Sequence, residues 1–595
     1  MTKTHLSILS TTGDHSIDKL KGPAAGTPRR KMMQRSIACA LTNRAFALAM
    51  SGSALFSSLT LALSPSMAAE LRDDIPGNWP MYNRTYDGTR YSPLKEIAVD
   101  NVQNLQVAWI AQVGNIREGL METPLVIDGV VYSIGAMNRV QALDAATGKE
   151  IWHYYPRLDE VVNEIFLTAI SRGVAFGDGR IYFGTLDGRG IALDAKTGKE
   201  LWSAQIVPTR KCGGCNFTSA PVYAENVVVF GQTGGDIAQQ GKIFGLDPAT
   251  GKIVWAFETL KDDPKSWGGD SRKFGGGGAW QTGAYDPKTK TVFYGTGNPA
   301  PDYDPGDARP GDNKWTSSVV ALDAATGNLK WGFQEVPHDL WDYDSATGLI
   351  TFVERNGKRS LVHYNKSGFV YVYDPESGAL QNVWRMNKII DWVESIDPKT
   401  GELKGVKTPK MGVTNHTCPW LVGSWEAPSY SPDTGLLYQN VVEACNSFDI
   451  QRMQPETVPL AGLYYGGSPE AEHPPGAKAY GHLDARDPLT GEVKWELKFD
   501  QPMYSSLLTT AGGLLFAGDL KGNALAYDAA TGKQLWSFYT GSGFRGGPVT
   551  YTAGGHQYVL FPSGLGGLGL GFVTQLWPEV ANYPAGGALV AFRLK

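Results

Sequence analysis

The chain has 595 residues and a formal charge of −5, with 72 glycines and 17 tryptophans but only 19% charged residues. An acidic chain argues against a nucleic-acid binder held by phosphate contacts, and no segment beyond residue 69 is apolar enough to span a bilayer. The balance is that of a glycine-rich, turn-rich β protein, built either as several ordinary domains or as one large repeat architecture.

Residues 1–69 differ from the rest. A basic lead ends in PRRKMMQR (28–35), followed by the small apolar run AFALAMSGSALFSSLTLAL (45–63) and then by SPSMAAE. This order reads as a secretory presequence cut near Ala68 or Ala69. Serines and glycines interrupt the apolar run, which argues against a membrane anchor. Eight basic and two acidic residues leave with it, so the remainder is more acidic than −5 and suits a basic soluble partner. Cys39 leaves too, and the four cysteines that remain (Cys212, Cys215, Cys418, Cys445) point to two disulfides in an exported chain. CGGC (212–215) reads either as a loop staple or as a redox pair; Asn216 after it excludes haem attachment.

From residue 142 onward one pattern recurs. ALDAATGKEIW (142–152), ALDAKTGKELW (192–202), GLDPATGKIVW (245–255), ALDAATGNLKW (321–331), VYDPESGALQNVW (372–384), ARDPLTGEVKW (485–495) and AYDAATGKQLW (526–536) each run from an apolar strand through a turn to a strand ending in Trp. The Asp caps the turn and the Gly takes positive φ. The spacing is close to 50 residues where nothing is inserted, as four short strands per propeller blade require. YSPDTGLLY (430–438) is a degenerate copy that restores another blade, YDPKTKTVFY (285–294) lies in an insertion, and the terminal ALVAFRLK pairs with an N-terminal strand to close the ring. Residues 70–595 are therefore expected to form one all-β, eight-bladed β-propeller.

PHDLWDYD (337–344) sets three aspartates around two aromatics. If LWDYD is extended, Asp342 and Asp344 project from one face and Trp341 and Tyr343 from the other. Two neighbouring carboxylates repel. A metal ion, an acid–base dyad or a solvated loop rim each makes the arrangement tolerable.

Taken with GGGGAWQTGAYDP (275–287) and GTGNPAPDYDPGDARPGDNKW (295–315), this motif resembles the pyrroloquinoline quinone (PQQ)-dependent alcohol dehydrogenases, periplasmic eight-bladed enzymes whose repeats carry tryptophan-docking motifs. The likeness runs across roughly residues 75–595. It implies that Trp280 stacks beneath PQQ, that Thr218, Thr233, Gly234 and Gly235 line it, that Arg172 pairs with one of its carboxylates, and that Lys366 meets its quinone oxygens. It implies a metal held by Asp236, Asn298 and Asp342, with Asp342 also the general base. Oxygen ligands suit Ca²⁺; Asp344, two positions on, matches a further anionic metal ligand of the lanthanide-using branch, so a lanthanide stands as the alternative.

The chain departs from the pattern in places. Asp236 stands where Glu is usual, Phe166–Leu167 where relatives have adjacent cysteines, and Ser424–Trp425 where Asn-Trp is usual. Glu122, the expected glutamate of the first blade, is one step out of register, with Met121 in its place. Cys418 and Cys445 match the longer-range disulfide. The resemblance implies periplasmic oxidation of a small-molecule alcohol with soluble cytochrome c as acceptor, and it leaves a homodimer open; the departures at 166–167 and 424–425 point to an alcohol larger than methanol, primary or secondary, cyclic ones included. A non-catalytic periplasmic propeller scaffold is the rival from another class.

Overall fold

The structure is a computed structural model that describes residues 75–595 apart from 114–117, 166–168, 421–425, 459–461 and 568–569. The presequence and its cut site, Phe166–Leu167, Ser424 and Trp425 thus lie outside the described residues. Those residues form an all-β propeller, with no helix long and apolar enough to cross a membrane.

Each repeat builds an antiparallel meander. Strands Val222–Ala224, Val227–Gly231, Lys242–Leu246 and Ile253–Glu258 pair in sequence order, and the fourth is the most exposed. Val227–Gly231 is wholly buried, whereas Ile253–Glu258 buries only Trp255 fully. Among the described residues seven sheets have four strands. An eighth adds a fifth, Tyr91–Ser92, parallel to Leu508–Thr510. YSPDTGLLY forms the hairpin of Ser429–Ser431 with Leu436–Glu443, and YDPKTKTVFY the hairpin of Ala284–Asp286 with Thr291–Gly295. The last sheet takes three strands from the C-terminal end and its fourth, Leu105–Gln112, from the N-terminal side, with Leu105 opposite Leu594.

The repeat residues do what their chemistry suggests. Asp144 Oδ1 accepts from Thr147 N (2.8 Å) and Thr147 Oγ1 (2.7 Å), closing the turn that Gly148 completes at φ +69°. The terminal tryptophan of one sheet then sits on the turn of the next: Trp152 Nε1 donates to Ala195 O at 3.1 Å, and a Cβ on Gly198 would come 2.5 Å from the Trp152 ring. The same bond joins Trp202 to Pro248, Trp255 to Ala324, Trp331 to Pro375, Trp384 to Pro488 and Trp495 to Ala529. Trp109, which the repeat pattern did not single out, makes it to Ala145 at 3.0 Å. Trp536 instead meets Phe592 edge-on, centroids 5.0 Å apart.

Candidate active site

Loops at the strand ends carry the candidate residues, and glycine lets their backbones touch. A Cβ on Gly276 would fall 2.2 Å from Gly235 O, and one on Gly235 would fall 2.1 Å from Asn298 Oδ1. The bare backbones of 275–278 and 234–235 therefore pack together, and this brings Trp280, Asn298 and Asp236 into one neighbourhood. From the far side, Asp339 accepts from Trp341 N (2.9 Å) and Tyr343 N (2.7 Å), folding PHDLWDYD back on itself.

That fold corrects the extended reading of LWDYD. Asp342 has φ +64°, in the left-handed region, and Trp341 and Tyr343 are both buried. The two aspartates still meet, because Lys366 Nζ lies 2.7 Å from Asp342 Oδ1 and 3.3 Å from Asp344 Oδ1. The ammonium is what sits between them.

A connected polar group surrounds the half-buried indole of Trp280. Its Nε1 donates to Asp344 Oδ2 at 2.7 Å, and the Arg172 guanidinium carbon lies over its ring, 5.0 Å from the centroid. Arg172 Nη1 donates to Thr218 Oγ1 (2.7 Å), which lies 3.2 Å from Thr233 Oγ1. Arg172, Thr218, Thr233, Trp280, Asp342, Asp344 and Lys366 are thus brought together. Glu122 precedes Thr123, whose N donates to Arg172 O at 2.9 Å, and its own carboxylate accepts from Ser133 Oγ (2.5 Å) and Ile134 N (2.7 Å) on a neighbouring strand.

Beside this group, Asp236, Asp302 and Asp342 each offer a carboxylate oxygen within 4.8 Å of the others. Asn298 Nδ2 donates to Asp302 Oδ1 at 2.8 Å, while Asn298 Oδ1 and Asp302 Oδ2 are buried without a hydrogen-bond partner. Orphaned oxygens cost free energy unless something outside the protein meets them. A hard cation fits this set of carboxylate and amide oxygens, and the aromatic face with its buried guanidinium and ammonium fits a flat tricarboxylate. Asp344, whose two oxygens face Trp280 and Lys366, is not in the trio; Asp302, which sequence reasoning missed, is. Its only signal was a further acid four residues after Asn298.

Burial, with help from neighbouring carboxylates, pushes these acids up. Asp236 reaches about 6, through burial and the Asp344 charge, with Lys366 opposing. Burial and then Asp236 and Asp342 hold Asp302 well above the carboxylate range. Burial raises Asp342 as well, against the pull of Lys366. Burial would lower the Lys366 ammonium, but Asp342, Asp344 and Asp236 outweigh it and raise its pKa. Burial brings Arg172 down to about 10.

A buried clamp, also missed, holds the residues flanking Asp344 and Lys366. Glu335 accepts from Ser345 Oγ (2.6 Å), Asn365 Nδ2 (2.9 Å), His363 Nδ1 (2.8 Å) and Tyr373 OH (2.6 Å).

The profile described as "PQQ: Glucose/ethanol/alcohol dehydrogenase, beta-propeller domain" matches residues 79–390 and 476–559. The chain belongs to the PQQ-dependent alcohol dehydrogenase family. Quinohemoprotein alcohol dehydrogenase ADH IIB of Pseudomonas putida is 36% identical over 85% of this chain and 76% of its own. A quinoprotein ethanol dehydrogenase of Pseudomonas putida is 32% identical, covering 95% of this chain and 98% of its own. Among solved structures, a europium-containing methanol dehydrogenase superposes with a TM-score of 0.81 at 31% identity, covering 88% of this chain and 99% of that one. This quinoprotein is thus an oxidoreductase acting on alcohols, and it carries the expected Cys418–Cys445 disulfide; the Cys212 and Cys215 sulfurs lie against each other.

Proposed function

We propose that residues 70–595 form an eight-bladed propeller, one blade per large sheet with the seven tryptophan contacts as docking motifs, that binds PQQ and a cation at the cluster described. The cation is Ca²⁺, with a lanthanide as the alternative, and the protein works in the periplasm with soluble cytochrome c as acceptor. The acidic chain supports a basic acceptor.

The observation that carries the reading is Asp342, whose Oδ1 meets Lys366 Nζ at 2.7 Å while its carboxylate also belongs to the oxygen cluster beside Trp280. Bound PQQ would supply a quinone as hydride acceptor, and the cation would supply Lewis acidity. The chain does the rest. Asp342 takes the alcohol proton on a carboxylate oxygen, its charged form favoured by the cation. Lys366 presents a buried ammonium to developing negative charge. Trp280 offers a flat apolar face, and Arg172, Thr218 and Thr233 bind carboxylate at its edge. Burial of Asp342, Asp344 and Lys366 keeps water from screening these charges.

We take the substrate to be larger than methanol, since position 166–167 lacks adjacent cysteines, and Leu340 and Tyr504 to line the mouth. Turnover with an artificial dye, PQQ and either Ca²⁺ or La³⁺ across an alcohol panel tests this; preference for methanol would sink the substrate proposal. Asp342→Asn is expected to lower turnover by about 100-fold or more while quinone absorbance survives dialysis, whereas Trp280→Ala loses that absorbance. Full turnover of Asp342→Asn would remove it as the base. A scaffold protein would bind no quinone at all.

A further inference from the structure

We propose that Asp302 is a ligand of the site cation, so that three carboxylates rather than two hold the ion together with Asn298. The inference rests on the metal-dependent reading above and deepens it.

The backbone places Asp302 there from two sides. Tyr464 accepts from Asp302 N (3.3 Å) and donates to Asp236 O (2.7 Å), so one residue stitches the backbones of two of the acids together. Arg309, wholly buried, donates to Pro301 O at 3.0 Å, to Asp302 O at 3.3 Å and also to Asp339 O. It therefore ties the loop bearing Asp302 to the loop that ends in Asp342. A cation spends its donors on backbone carbonyls here, and the Asp302 carboxylate is left free to face the cluster.

The side chain itself points to an ion. Asp302 is 0% exposed; Asn298 Nδ2 takes its Oδ1, and Oδ2 has no hydrogen-bond partner. Asn298 Oδ1, also 0% exposed, has none either. Around them stand Asp236, Asp342 and Asp344, with Lys366 the ammonium that answers them. Three buried carboxylates and that of the half-buried Asp236 against one ammonium leave a charge that burial does not tolerate uncompensated. Two devices can cancel it: a cation, or a proton shared between Asp302 and Asp236, which approach closely enough to hydrogen-bond. A cation uses the amide oxygen of Asn298 as well; a shared proton leaves that oxygen orphaned. The donor set favours the ion. By charge, a third carboxylate strengthens a trivalent ion more than a divalent one.

The test loads full-length protein carrying PQQ with Tb³⁺ or Ca²⁺. Calorimetry gives affinity, and Tb³⁺ luminescence lifetimes in H₂O and D₂O count the waters on the ion. Asp302→Ala is expected to add at least one bound water and to weaken Tb³⁺ by about 10- to 100-fold. Asp302→Asn, which keeps an oxygen but loses the charge, is expected to weaken Tb³⁺ more than Ca²⁺. Unchanged hydration and affinity in Asp302→Ala overturn the proposal and leave Asp302 as an acid sharing a proton with Asp236. If Asp302→Ala does not fold, an unchanged Tb³⁺/Ca²⁺ affinity ratio in Asp302→Asn overturns it equally. Wild-type protein that binds no ion sinks the metal-dependent reading as a whole. An ion lost in Asp342→Ala but unaffected at Asp302 sinks only this inference.

Discussion

Asp342 is held with φ +64°, a backbone conformation that costs a non-glycine residue on the order of 1 kcal/mol. The Asp339 carboxylate keeps it there through two backbone amides, and the result is that one carboxylate faces both Lys366 and the oxygen cluster. The motif residues Trp280, Asn298 and Asp342 were legible because their neighbours in sequence are distinctive. Asp302 and Glu335 were not, because what gives each a role is a partner brought in by folding: Asp236, 66 residues before Asp302, and Asn365, 30 residues after Glu335. The partners of Glu122 were hidden for the same reason, since only folding brings Ser133 and Ile134 to its carboxylate. Burial raises Glu122 from its usual 4.5 to about 7, against those hydrogen bonds. A carboxyl with a raised folded pKa stabilises the fold fully below its unfolded pKa, and that contribution is lost as pH rises through 7. Relative to Glu122→Gln, the wild type should therefore lose ~1 kcal/mol of stability per pH unit between about pH 5 and 7. Urea titrations of both proteins across that range check it; parallel curves would rule the buried titration out.

At the scale of the element, the recurring turn explains why the fold could be read so far in advance. Asp and Thr close the turn, Gly completes it, and the absence of a side chain on that Gly makes room for the preceding sheet's tryptophan. Local sequence thus encodes a contact between sheets. Gly198→Ala should destabilise by about 2 to 4 kcal/mol, from the left-handed backbone and from the clash with the Trp152 ring. A shifted denaturation midpoint at unchanged slope is the expected reading; a change below about 0.5 kcal/mol, within the ordinary range for a surface substitution, would mean the ring has room to move. Strands without the pattern were invisible. Thr414–Thr417, Cys445–Asp449 and Glu470–Glu472 form a three-stranded sheet from separate segments of 414–472, with Cys418–Cys445 joining two of its strands.

Across the whole molecule, the ring depends on Ala588–Leu594, whose residues Leu589 to Phe592 are almost wholly buried between Leu105–Gln112 and His556–Ser563. A chain ending at Gly587 is expected to lose cooperative thermal unfolding, read by calorimetry, because two strands then lack their partner; an unchanged transition would show that the ring closes without it. The same pairing sets an order of events during synthesis. Leu105–Gln112 leaves the ribosome early, yet its mate begins 476 positions later, at Ala588. Until then the nascent protein carries an open sheet edge that another copy could capture, so its yield in cells should hinge on how well chaperones shield that edge.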